Sequence, residues 1–245
     1  MPMYWIWQEN RQNKMLEDIT HWGTAEQENW KRVVVLTPLH CAALNSSVEG
    51  VKHLIANGAD VQAKTTSGET PLHYAAHNSN VEVLIYLIEK GADVHAKSRK
   101  GSTPLFNAVS GNENVDVLKY LISKGADVNT RNNWDETPLF LVSHNNNVEI
   151  WKYLISQGAD VKAKTDNGYT PLHYAAGNNY NAEGLKYLVE KGADVNAINA
   201  DGKTPFDIAN RGANCPTGNI RFINACKEKR NILREAGGKS GKELG

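Results

Sequence analysis

Apolar and small residues return along this chain in two alternating stretches. A short one, such as Leu72, Ala75 and Ala76, is followed after a few polar residues by a longer stripe, Val81, Leu84, Leu87 and Ile88. The spacing of that stripe is helical, which predicts a second helix from Val81 to about Lys90. Between the two, His77-Asn78-Ser79-Asn80 consists of residues that compete for backbone hydrogen bonds and favour turns. Thr70 before the first stretch predicts a helix N-cap, and Pro71 suits the first helical position, where a missing N–H costs nothing. Gly91 after the second stretch predicts a left-handed C-terminal cap. The unit is therefore helix, turn, helix and projecting loop.

This unit recurs. Thr-Pro stands at Thr37, Thr70, Thr103, Thr137, Thr170 and Thr204, at spacings of 33, 33, 34, 33 and 34. Gly-Ala-Asp-Val begins at Gly58, Gly91, Gly125, Gly158 and Gly192, with the same drifting period. A shared period of this length signals a stacked array, in which each unit buries its apolar face only against its neighbours. The lines Thr70-Pro71-Leu72-His73-Tyr74-Ala75-Ala76 and Thr170-Pro171-Leu172-His173-Tyr174-Ala175-Ala176, with Thr37-Pro38-Leu39-His40-Cys41-Ala42-Ala43, resemble ankyrin repeats over roughly residues 32 to 210. That resemblance implies an all-α solenoid of helix-turn-helix units, stacked right-handedly and elongated, with short β-hairpin loops.

The expected organisation is a Trp-rich capping segment over 1–31, five repeats over 32–198, and a capping repeat over 199–236 with an insertion near 211–218. A flexible tail is expected over 237–245. Four of the six tryptophans (Trp5, Trp7, Trp22, Trp30) fall in the first segment, which suits a cover over the Val33–Leu36 end of the stack. The departures from the repeat matter too. Phe106 and Phe140 replace the motif histidine, exchanging a loop-bracing hydrogen bond for apolar bulk. Asp135 replaces the turn glycine, so a distorted loop tip is expected there. The extra residues of the third and fifth repeats are placed in the turns at 111–114 and 177–181.

Composition narrows the function. Lys and Arg number 27, as do Asp and Glu, so the formal net charge is zero and a generally basic nucleic-acid binder is excluded. The longest aliphatic run is Val33–Leu36, far below the ~20 residues of a membrane helix. With no basic leader at the N-terminus, a cytoplasmic location is expected. Three scattered cysteines, Cys41, Cys215 and Cys226, do not make a disulfide framework. Chemistry is sparse. His73 and His77 lie one helical turn apart but lack a third ligand, so no metal is expected. The Gly237-Gly238-Lys239-Ser240-Gly241 stretch fails as a phosphate loop on spacing and on Glu243. No catalytic constellation and no cofactor site is predicted. The 27 asparagines, including Asn145-Asn146-Asn147, are read as turn formers.

The ankyrin resemblance implies protein binding through hairpin tips and first-helix surfaces. Carried over by position, the candidates are Trp134 and Tyr169, aromatics at loop positions of the kind that dominate interfaces. Beside them stand His77, Asn78, Arg99, Lys100, Asn133, His144 and Asn145. The connector positions Lys64, Lys97, Arg131 and Lys164 place basic residues in register, ending at Ile198. The expected protein is a monomeric, non-catalytic scaffold for a protein partner with an acidic, partly apolar surface. Phosphate or nucleic-acid binding through the basic row is the alternative, as is a host-directed bacterial effector with an ankyrin recognition module.

Overall fold

The computed structural model describes residues 36–111, 114–145, 147–177, 182–213 and 220–245. The N-terminal segment expected to cap the stack lies outside the described residues, as do most of the two turns expected to hold extra residues. Compact units are recognised over 1–35 and 36–245, and only the second is described here.

The first helices of successive repeats are α1 (Pro38–Leu44), α3 (Pro71–His77), α5 (Pro104–Gly111), α7 (Pro138–Leu141), α9 (Pro171–Gly177) and α11 (Pro205–Ala213). Each begins at the proline of Thr-Pro, because φ is already helical there. The second helices are α2 (Val48–Ala56), α4 (Val81–Glu89), α6 (Val115–Ser123), α8 (Val148–Ser156), α10 (Glu183–Glu190) and α12 (Ile220–Glu235), and a short α13 (Gly241–Leu244) ends the chain. Asn80, Asn114 and Asn147 cap α4, α6 and α8 by accepting a backbone N–H of the first turn. Helix α7 passes into a 3-10 turn at Val142–His144. Helix α11 runs on through Arg211 to Ala213, three residues into the expected insertion.

First helices pack on first helices (α1 on α3, α3 on α5, through to α11), and second on second, which joins every repeat into one apolar core. In α4 the buried stripe is Val83, Leu84 and Leu87, with Val81 and Ile88 at its edges. The loops are tight turns closed by backbone bonds such as Thr65 N–H to Glu69 carbonyl at 2.9 Å, and no described residue forms a strand.

The motif histidines tie consecutive repeats. His73 Nδ1 accepts the Thr70 N–H at 3.1 Å and lies 3.0 Å from the Thr70 hydroxyl, while Nε2 lies 3.0 Å from the Ser102 carbonyl. A carbonyl only accepts, so the proton sits on Nε2 and the ring is neutral. His40 and His173 repeat this arrangement onto the Glu69 and Lys203 carbonyls. Where Phe140 stands instead, the buried Thr137 hydroxyl has no partner.

Two further features hold the stack together. Trp151 takes the place of the leucine found at Leu84, Leu118 and Leu185, and Gly184 in the next repeat replaces the Val83, Val117 and Ile150 type of residue. A Cβ on Gly184 would lie 2.7 Å from Trp151 Nε1, so the missing side chain is the space the indole fills. Asparagines do more than form turns: Asn107, Asn114 and Asn129 each donate to a carbonyl of an adjacent repeat, those of His73, Ser79 and Gly158.

The glycine-rich end is not a free tail. Gly237 sits at φ 85°, Asn196 donates to its carbonyl at 3.2 Å, and the Lys239 N–H returns a bond to Asn196 at 2.8 Å. The Thr204 hydroxyl donates to the Lys239 carbonyl and the Gly241 N–H to Asp207. Residues 237–241 thus occupy the place of another repeat's loop.

Candidate functional site

Successive loop tips are joined by one backbone rung each. Arg99 N–H donates to the Ser67 carbonyl at 2.8 Å, Asn133 to Lys100 at 3.0 Å and Ala200 to Asn167 at 2.9 Å. This closeness needs glycine. A Cβ on Gly68 would come 2.9 Å from Arg99 N, and one on Gly101 would come 2.5 Å from Asn133 Oδ1.

The fourth loop has Asp135 at that position. The loop keeps its path, contrary to the expected distortion, because Asp135 adopts φ 59°. Aspartate tolerates this region better than most residues, at some cost. At the equivalent glycines a Cβ would press on the backbone of the next loop, and Asp135 carries one. The equivalent rung, from Asp166 N–H to the Trp134 carbonyl, is absent, although both residues are described. Arg131 bridges the base of this seam instead, donating to the Lys164 and Asp135 carbonyls at 3.0 Å each, with the Asp135 carboxylate 3.5 Å away.

Over the seam lies a groove of about 550 Å³ lined by Trp134, Glu136, Thr165, Asn167, Tyr169, His173, Tyr174, Gly177 and Ile208. Trp134 forms one wall and is 52% exposed. Tyr169 stands edge-on to His173 at 5.5 Å and to Tyr174 at 6.0 Å, and its hydroxyl reaches Asp201 at 3.4 Å. Tyr174 packs edge-on against buried Phe140 and donates to Glu136 Oε1 at 2.6 Å. Asn132 donates to the other oxygen, Oε2, at 2.7 Å. Each carboxylate oxygen retains capacity to accept. Burial, then the bond to Glu136 and its charge, push the Tyr174 hydroxyl well above the ordinary tyrosine range. In the second repeat Tyr74 uses its own Glu69. The fifth repeat has Tyr169 at that position, so Tyr174 reaches back one repeat, across the open seam.

The sequence candidates divide accordingly. Trp134 and Tyr169 meet in the groove. Arg99 and Lys100 are exposed on the preceding tip, with the Lys100 ammonium 6.0 Å over the Trp134 ring. Asn133 is exposed, but its amide donates to the Arg99 carbonyl at 2.8 Å. His77 and Asn78 lie at the far end of α3, about 10 Å of helix from its loop. There the Asn78 amide donates to the Leu44 carbonyl. His144 ends the equivalent 3-10 turn. Asn145 is buried, and its amide donates to the Val109 carbonyl at 3.3 Å, so this side chain is structural and is not available to a partner. In the basic row Lys64, Lys97 and Lys164 are exposed, and the Lys97 ammonium lies 3.4 Å from the Arg131 carbonyl. Arg131 is committed to the seam. The row is therefore not four equivalent free charges.

Sequence reading did not select Tyr174, His173 or Ile208, which belong to inner helices. Counting Glu136 and Tyr169 as exchanged residues at one repeat position is the signal that could have found the Tyr174 link. Among the described residues, no three His, Cys, Asp or Glu gather where a metal could sit, and no helix is long and apolar enough to cross a membrane.

A family model for ankyrin repeats matches three times, over residues 39–132, 105–199 and 164–215. The chain belongs to the ankyrin-repeat family, whose members generally mediate protein–protein interaction. No curated protein matches the sequence.

Proposed function

We propose that this protein is a non-catalytic binding module that holds a protein partner in the groove over the seam between its fourth and fifth loops. The observation that carries the reading is the groove in which Trp134 and Tyr169 meet, beside the loop pair that lacks a backbone rung. Large aromatics at such positions supply most of the affinity in protein interfaces. The acidic partner suggested by the basic row is not carried forward. Arg131 is hydrogen-bonded across the seam, and the described residues of the groove lining include Glu136 but no lysine or arginine. The phosphate reading loses its footing for the same reason.

The test compares proteins captured from the native lysate by wild type, Trp134→Ala and Tyr169→Ala, after circular dichroism has shown all three folded. The reading expects partners retained by wild type and lost by both variants. An identical captured set from all three contradicts it.

A further inference from the structure

The groove's chemistry selects what enters it. Resting on the partner-binding reading above, we infer that the group received there is a basic side chain, arginine or lysine, carried by a segment of the partner protein. Among the described residues of the lining Glu136 alone is charged, and it is half-buried among aromatic rings. Its carboxylate is fixed from two sides, by Tyr174 at Oε1 and Asn132 at Oε2. Both of these are donors that leave the negative charge in place, and each oxygen keeps accepting capacity towards a further donor. A guanidinium or ammonium is the donor that also neutralises this charge.

The walls agree. Trp134 and Tyr169 line the groove, and an aromatic face attracts a cation electrostatically, tryptophan most strongly. The protein shows this property itself, since the Lys100 ammonium lies over the Trp134 ring. Asp166 and Asp201 on the neighbouring tips add negative charge beside the opening, and the Asp201 carboxylate reaches the Tyr169 hydroxyl. His173, the remaining titratable group of the lining, is neutral while its Nδ1 accepts from Thr170, so it does not oppose a cation. A carboxylate entering the groove would meet Glu136 inside it, while the nearest cations stand outside the lining, Lys100 over the Trp134 ring and Arg131 beside the Asp135 carboxylate. Like charges so placed disfavour the wrong partner.

The probe is a set of immobilised peptide pools with randomised neutral flanks and a fixed central residue: Arg, Lys, Gln or Glu. Full-length wild type should be retained most by the Arg and Lys pools. Glu136→Gln removes the charge while its carbonyl oxygen still accepts from Asn132 and its amide N–H can turn the Tyr174 hydroxyl into the acceptor, and it should weaken that retention roughly tenfold. Retention of the Gln pool should be unchanged in this variant. Trp134→Ala should weaken retention of every pool. A Glu or Gln pool retained at least as well as the basic pools overturns the inference, and so does unchanged retention of the basic pools by Glu136→Gln. If pool binding depends on Trp134 without preferring a cation, only the inference fails. If binding is indifferent to Trp134 and Tyr169, the groove assignment fails with it.

Discussion

Trp151 and Gly184 provide a sharp quantitative test of how the repeats fit. Gly184→Val restores the residue type of the other repeats but places its Cβ 2.7–3.1 Å from three indole atoms of buried Trp151. The indole is enclosed on α8 and cannot swing clear, so overpacking should cost ~1–3 kcal/mol. Replacing a helical glycine returns only a few tenths of a kcal/mol, since valine is itself a modest helix former. Trp151→Leu alone leaves a void and should cost about 3 kcal/mol. If the two effects were independent, the double variant would lose roughly 4–6 kcal/mol. The packing predicts instead a double variant within about 1 kcal/mol of wild type, because leucine opposite valine is how the neighbouring repeats are built. The coupling energy is then about 3–6 kcal/mol, at or above the upper end of those measured between touching residues. Urea unfolding of the four proteins, followed by circular dichroism with the slope held as a check, measures it. Additive losses would refute the claim that one side chain was exchanged for the other.

Two further predictions concern the repeat braces. Thr137→Val removes a buried hydroxyl without a partner and should be neutral or stabilising by up to ~1 kcal/mol, whereas Thr70→Val strips a bond from His73 and should cost ~1 kcal/mol or more in the same urea assay. His40, His73 and His173 are held below the usual histidine range, chiefly by burial, which disfavours the charged ring. With folded values lowered, the unfolded chain binds more protons, so this stability is complete above about pH 6.5 and is lost as pH falls through the lower folded values. Midpoints measured between pH 7.5 and 5, above the ordinary carboxylate range, should fall steadily, and replacing all three histidines with phenylalanine should flatten that slope; equal slopes would contradict the neutral-ring assignment.

The helices and their order were legible in the sequence because they depend on local chemistry. Thr-Pro fixes each first-helix start, and a glycine at positive φ follows each of the second helices before a Gly-Ala-Asp-Val segment. Trp134 and Tyr169 were legible as unusual residues at tip positions. The opening between them was not, because it depends on a distance between loops 33 residues apart. Asp135 looked like a fault within one turn, yet it adopts the glycine conformation, and the missing rung lies between its loop and the following one. Asn78 and Asn145 were misread for a related reason. An exposed turn and a staple to the previous repeat use the same residue, and only the neighbouring carbonyl distinguishes them. The C-terminal residues were misread from glycine content, although Gly237 stands where a repeat would place its capping glycine.

The seam itself is the central claim, and Asp135→Gly tests it most directly. Glycine at φ 59° relieves backbone strain of about 1 kcal/mol and removes the Cβ that the equivalent glycines lack. The variant should therefore be at least as stable as wild type while the Asp166 rung forms and the groove closes. Retention of the Arg and Lys peptide pools by folded Asp135→Gly, measured beside wild type, should drop at least tenfold. Undiminished retention by the variant would contradict the account, because binding would then not depend on the opening between the loops.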